Sequence, residues 1–382
     1  MFCSNCGNKL EDESKFCSTC GAKVNYPAET TNEIARVSSD TTPTTAETSK
    51  TFQAQVKDTF LNATGKINAM LGETGHIELN LKDVFSDVLK KHSKDDGEAL
   101  FITGTKHTTP PEDQISTSWP KPWLFSRVFL FFAITYILLY ISTYSFQNIN
   151  ALPGFIIIGS FAVPVSLLIF FWETNAPRNI SFYEISKMLF IGGASSLVVT
   201  LFLFSFLPVH ELDFAGAIIV GVVEEVGKLI IILYFIKNLN PKYILNGLLI
   251  GAAIGAGFAA FESAGYALRF GLMYGNSTML DVIFLRAWTA IGTHTIWSAI
   301  SGAALVYVKG NNPLKSDHLF NANFLKLFAV PVILHAIWDM PLYFLHKFNL
   351  LFIIIIVIGW VFIFSFIHVG LKQIGARHLN NS

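Results

Sequence analysis

Three things are scarce in this 382-residue chain, and each scarcity excludes a class of protein. Charge is the first: Asp, Glu, Lys and Arg make up 14% of the residues against 52% hydrophobic ones. That balance is too apolar for an ordinary water-soluble enzyme and reads as a polytopic membrane protein. An excess of one sign is the second. Lys and Arg number 27 and so do Asp and Glu, so the basic surplus that phosphate binding needs is missing and no nucleic-acid partner is expected. Cysteine is the third: the four present, Cys3, Cys6, Cys17 and Cys20, all lie within the first twenty residues, leaving no disulfide framework for the rest. No apolar run precedes them, so no cleaved signal peptide is expected.

The charge that is present is unevenly placed. Residues 1–122 hold 30 of the 54 charged residues, and the remaining 260 hold 24, so two regions with different solvents are expected. In "MFCSNCGNKLEDESKFCSTCGAKV" the cysteines form two Cys-x2-Cys pairs, followed by Gly7 and Gly21. Two intervening residues let both thiolates of a pair reach one tetrahedral ion, and the glycine permits the tight turn around it. Residues 1–26 therefore read as a zinc ribbon, with zinc structural and supplying the folding energy that so short a segment cannot obtain from a core. The alternative, two disulfides, would need an oxidising compartment. With no catalytic residues beside it, the ribbon reads as a structural module or a dock for a cytosolic protein partner. Residues 27–50, with seven Thr among Ser and Pro, read as a disordered linker. Residues 51–118 read as a cytosolic helical region, clearest in "LNLKDVFSDVLKKH", where Leu81, Val84, Phe85, Val88 and Leu89 would share a helical face. It is expected to pack on itself in preference to lying on the bilayer, because Asp is mixed with Lys on its polar face.

Residues 119–372 read as an all-α membrane domain, followed by a cytosolic tail, 373–382. Apolar runs long enough for a ~30 Å hydrocarbon core fall near residues 123–145, 153–172, 187–208, 214–236, 244–266, 282–307, 324–345 and 349–370. Arg178, Lys187, Lys237, Lys242, Lys309, Lys315, Lys326, Lys372 and Arg377 all fall on one side of these eight spans, against Arg269 and Lys347 on the other. The positive-inside rule then places both termini in the cytoplasm of a cell-membrane protein.

Ionisable residues inside the spans cost ~2.5–3.5 kcal/mol each at the bilayer centre and are functional candidates by default. Here they occupy four consecutive spans: Glu224, Glu225 and Lys228; Glu262; Arg286 and His294; His335 and Asp339. Lys228 is within pairing distance of either glutamate along a helix, and one ammonium cannot neutralise both. His335 and Asp339, four apart, share a face. Gly251, Gly255 and Ala259 give the fifth span a face small enough for close helix packing. At ~1.5 Å per residue Glu224 lies ~15 Å and His294 ~18 Å from the outer ends of their spans. Glu262 lies nearer the outer surface, and the antiparallel seventh span returns its pair to the same layer. Arg286, close to the outer end of its span, is expected to snorkel to the interface. Taken singly, these residues are compatible with helix-to-helix hydrogen bonds. Gathered at one depth, they suit a metal or water site: imidazole and carboxylate are zinc ligands, and a spare glutamate can act as a general base.

In order, the motifs are Glu224-Glu225-x-x-Lys228, Phe258-x-x-x-Glu262, His294-x-x-Trp297 and His335-x-x-x-Asp339, each on a successive span. This arrangement resembles the PrsW family of intramembrane proteases, relatives of the CAAX-protease and bacteriocin-immunity group, over roughly residues 120–370. Relative to that wider group, Lys228 stands in place of an Arg, Glu262 of a His and Asp339 of an Asn. The resemblance implies cleavage of single-pass membrane proteins within the lipid bilayer, with anti-sigma factors as the family's example, cut on their extracytoplasmic side. It implies catalytic roles for Glu224, Glu225 and Lys228 and a zinc site drawn from Glu262, His294, His335 and Asp339. A proton- or cation-coupled transporter and a non-catalytic sensor or immunity protein remain as alternative readings, since buried Glu, His and Asp also form proton relays or set packing.

The ribbon yields a direct prediction. A peptide of residues 1–26 should bind one zinc through four thiolates, fold on its addition and unfold with chelator, followed by circular dichroism and thiolate-to-metal absorbance. A peptide equally folded without metal would refute the assignment.

Overall fold

The computed structural model describes residues 52–342, except 76 and 78, and residues 349–381. The chain divides into two units, 1–50 and 51–382. Cys3, Cys6, Cys17 and Cys20 and the linker 27–50 lie outside the described residues. The described residues form helices and turns with no strand among them. In order these are α1 (Phe52–Met70), α2 (Leu81–Val84), α3 (Lys94–Phe101), α4 (Leu124–Tyr140), α5 (Leu152–Thr174), α6 (Phe182–Lys187), α7 (Gly193–Phe204), α8 (Phe214–Leu239), α9 (Ile244–Tyr274), α10 (Asn276–Thr289), α11 (His294–Lys309), α12 (Ser316–Leu319), α13 (Ala322–Asp339) and α14 (Leu350–Asn381). Residues 373–381 continue α14.

Seven helical stretches among the described residues are long and apolar enough to cross a membrane: 124–145, 149–174, 182–204, 244–274, 276–309, 322–339 and 350–379. Helix α8, with 26 residues, is long enough, but its charges at 224, 225 and 228 set it apart. Topology supplies the missing crossing. Before the first stretch lies Glu112, whose carboxylate accepts a hydrogen bond from Tyr243 (3.0 Å) and sits 3.7 Å from the Arg377 guanidinium near the end of the last. Lys372 likewise reaches Glu73 at 3.1 Å. Two segments that meet on one face are joined by an even number of crossings, so α8 is counted as a crossing too, which makes eight among the described residues.

Local chemistry sets the helix ends. Glu173, at the end of α5, accepts the backbone N–H groups of Trp123, Leu124 and Phe125 at 2.8, 2.8 and 2.9 Å. One carboxylate thus satisfies donors that the start of α4 would leave orphaned. Asp213 caps α8 by accepting from Gly216 N at 2.7 Å, and Asn240 closes it in the left-handed conformation. Pro341 forces Met340 into extended backbone, so α13 ends at Asp339.

The core is built around α9, whose residues from Ile244 to Ala260 are all buried. Its contacts with α11 are the most extensive between any two helices, and the cause is the absence of side chains at the crossing. A Cβ on Gly251 would stand 2.0 Å from the Ser298 carbonyl oxygen, and one on Gly302 would stand 2.3 Å from that of Gly247. Backbones this close gain dispersion contacts that larger residues would forbid.

Three expectations need correction. The sixth span is not one helix: α10 gives way to a short 3-10 turn, Ala290–Gly292, and to Thr293 at φ −108°, ψ −131° before α11 starts at His294. Non-helical backbone at membrane depth is tolerated where protein buries it, and Thr293 is buried. Residues 81–89 do not form one amphipathic helix. Only 81–84 are helical; Val84 is buried and Phe85 stacks on Phe170, whereas Leu89 is 92% exposed. Nor does the region 51–118 form a core of its own, because Ile67, Leu71 and Ile115 join the main core of the membrane domain.

The charge bias of the loops predicts the orientation of this fold. A cysteine placed at Glu211, in the loop before α8, should react with a membrane-impermeant reagent in intact cells, and one at Asn311 should not. The opposite labelling pattern would invert the topology.

Candidate active site

Seven buried or nearly buried ionisable groups, Glu224, Glu225, Lys228, Glu262, His294, His335 and Asp339, converge from α8, α9, α11 and α13. At the centre is Lys228, with no exposed surface. Its Nζ donates to Glu225 Oε1 at 2.5 Å and lies 3.0 Å from His294 Nδ1. It also stands 4.6 Å from the centroid of the Phe258 ring. An ammonium has donors only, so His294 Nδ1 accepts and the imidazole carries its proton on Nε2, 3.1 Å from Glu262 Oε2.

His335 is held the other way round. Its Nδ1 donates to Glu225 Oε1 at 2.8 Å, which leaves the Nε2 lone pair facing Glu224 Oε2 and Asp339 Oδ2, each at 3.5 Å. A carboxylate behind one nitrogen with the other nitrogen free is how metal-binding histidines are oriented. Trp297 packs on the same ring, 4.7 Å between centroids. Glu225 is therefore committed twice through Oε1, its Oε2 being buried without a partner among the described residues, whereas Glu224, four residues before Lys228, makes no hydrogen bond with any of them and lines the cavity described below.

Arg286 corrects the expectation of a snorkelling side chain. Its Nη2 pairs with Glu262, its Nε donates to Ser263 Oγ at 2.9 Å, and the guanidinium lies 4.6 Å from the centroid of Tyr266. The cause of the misreading is the helix start. The α10 helix begins at Asn276, six residues before the apolar run, so Arg286 sits roughly 15 Å into the crossing. A guanidinium at that depth needs a carboxylate partner, and that requirement was the signal available in the sequence.

These groups line a cavity of ≈ 480 Å³ whose floor holds Glu224, Glu262, His294, His335 and Asp339 and whose rim holds Pro208, Val209, Leu212, Tyr266 and Arg269. Because Pro208, Val209 and Leu212 belong to the loop between α7 and α8, the cavity opens on the face opposite to the 243–377 contacts. All four motif groups thus meet in one layer, as their depths imply, although Glu262 is bound to Arg286 and is less free than Asp339.

The donor set fits a metal ion. One ligand atom each from Glu224, His294 and His335 lie within 4.8 Å of one another, and the facing oxygens Glu224 Oε2 and Asp339 Oδ2 are buried without a hydrogen-bond partner. In formal charge, the site sets the carboxylates of Glu224, Glu225, Glu262 and Asp339 against the cations Lys228 and Arg286, an excess of two negative charges that a divalent cation would offset, with Arg269 out at the rim. Imidazole with carboxylate is a zinc donor set.

Residues 184–367 match the family described as PrsW family intramembrane metalloprotease, and residues 2–24 match a zinc-ribbon domain. The first match spans every group of this cavity, and the second holds all four cysteines. No curated protein and no solved structure gives a significant match.

Proposed function

We propose, from the match of residues 184–367 to the family described as PrsW family intramembrane metalloprotease, that the protein hydrolyses peptide bonds of single-pass membrane proteins, of the anti-sigma-factor kind, on their extracytoplasmic side. The observation that carries this reading is the division of labour between adjacent glutamates. Glu225 Oε1 is occupied by Lys228 and His335 and its side chain is not in the cavity lining, whereas Glu224, with no hydrogen-bond partner among the described residues, lines a cavity that opens on one face.

In this mechanism Glu224 Oε2 accepts a proton from water as the water oxygen attacks the peptide carbonyl, and returns it to the leaving amine. The His294 Nε2–H, displaced from Glu262 by the substrate, donates to the carbonyl oxygen as negative charge develops there. Glu225 and Lys228 keep both imidazoles oriented, and Arg286 pairs with Glu262 at the cavity floor. Zinc held by the free Nε2 of His335 with Asp339, beside Glu224, would supply Lewis-acid polarisation of the carbonyl and a more acidic water, while His294, both of whose ring nitrogens are engaged, stays a hydrogen-bond donor. The ribbon would serve as a cytosolic dock for a protein partner.

Purified protein reconstituted with a single-pass substrate tests this. Glu224→Gln should lower the cleavage rate by ~100-fold or more, the range of a lost general base, with thermal unfolding unchanged. His294→Ala and His335→Ala should also abolish cleavage, while Lys228→Arg keeps part of it. Chelation should remove activity and zinc restore it. Full activity in Glu224→Gln would refute the mechanism, and activity untouched by exhaustive chelation would refute the metal.

A further inference from the structure

We infer that Arg269 selects substrates carrying an acidic side chain about three residues outward from the cleaved bond. The inference deepens the protease reading and rests on it. It starts from helix phase: Glu262, Tyr266 and Arg269 stand at i, i+4 and i+7 on α9, one face of the helix. All three line the same cavity, with Glu262 at the floor and Arg269 exposed at the rim.

The two arginines of this wall are not equivalent. Arg286 is clamped by Glu262, Ser263 and the Tyr266 ring. Arg269 has no ion pair, hydrogen bond or ring contact with any described residue. A cavity floored by carboxylates thus carries one unengaged guanidinium, and it is placed at the mouth. Guanidinium is the side chain best matched to a carboxylate, through paired N–H donors.

Spacing fixes the register. Seven helical residues advance ~10.5 Å along α9, and three residues of extended chain advance ~10 Å. A peptide extended along the wall, with its scissile carbonyl at the level of Glu262 and His294, therefore brings the third residue outward to Arg269. An acidic residue deeper than that would meet Glu224, Glu262 and Asp339 and be repelled. The opposite rim is apolar, with Phe204, Pro208, Val209 and Leu212, and suits an aliphatic or aromatic side chain between the two. The substrate class is an apolar membrane segment whose outer flank bears one carboxylate at a defined distance.

Binding tests this without requiring turnover. Single-pass fluorescent reporter polypeptides, in which Asp, Asn or Lys is walked over five consecutive residues at the outer end of one apolar segment, are titrated onto the full-length Glu224→Gln protein in nanodiscs. At one position Asp should bind about tenfold more tightly than Lys, as expected of a partly shielded ion pair against a like-charge contact. The preference should shrink at 0.5 M salt. Adding Arg269→Glu should reverse the order at that same position, and Arg269→Gln should level it. Equal binding of Asp and Lys at all five positions, or an Asp preference that survives Arg269→Glu, would overturn the inference. Failure of the protein with Glu224 intact to cut any reporter would count against the protease reading alone, because occupancy of the rim is read in the uncut complex.

Discussion

The structure depends on how one ammonium is kept inside a membrane. Lys228 has no exposed surface, and its charge is met by Glu225 on its own helix and by His294 on α11. Glu225 in turn holds His335 on α13. Desolvating an ion pair costs several kcal/mol per ion, recovered only when geometry and further hydrogen bonds are good. Here the recovery requires three helices at once. The pair therefore fixes the relative placement of α8, α11 and α13 and the facing of both imidazoles. It also leaves Glu224 as the carboxylate with no cation of its own.

The second constraint is steric. Gly247, Gly251 and Gly302 let α9 and α11 approach until backbone nearly meets backbone, and this approach carries Glu262 to His294. Two helix ends then fall at the same depth: α11 begins at His294 and α13 ends at Asp339. Helix ends inside a bilayer must be surrounded by protein or line a cavity. Close packing on one side and terminated helices on the other leave the polar space that hydrolysis requires, so stability and chemistry rest on the same elements.

Much of this was legible because charge is expensive in lipid. Glu224, Glu225, Lys228, Glu262, His294, His335 and Asp339 stand out against apolar surroundings, and the charge count alone says that one ammonium cannot neutralise both glutamates. The eight crossings follow from length and loop charge, and the Gly251 face from residue size. What stayed hidden depends on where helices start and stop. Arg286 looked peripheral because Asn276 to Asp281 are polar enough to hide the first turns of α10. The break before His294 leaves no trace in hydropathy, since Ala290 to Thr293 are small and apolar enough to pass for helix. In the region before α4, apolar periodicity suggested one helix over 81–89, but Phe85 stacks on Phe170 of the membrane domain, a tertiary contact that no local pattern encodes.

The central claim is that two neighbouring glutamates of one sequence motif play opposite parts, one holding the frame and the other left free by it. Equilibrium unfolding of the Glu224→Gln and Glu225→Gln proteins, measured side by side in the same detergent, tests it most directly. The account predicts that Glu225→Gln loses about 3 kcal/mol, because Lys228 is stranded in the interior, while Glu224→Gln is at least as stable as the unsubstituted protein, since it removes a buried carboxylate oxygen with no partner. The reverse order, with Glu224→Gln the damaged protein and Glu225→Gln unaffected, would contradict it.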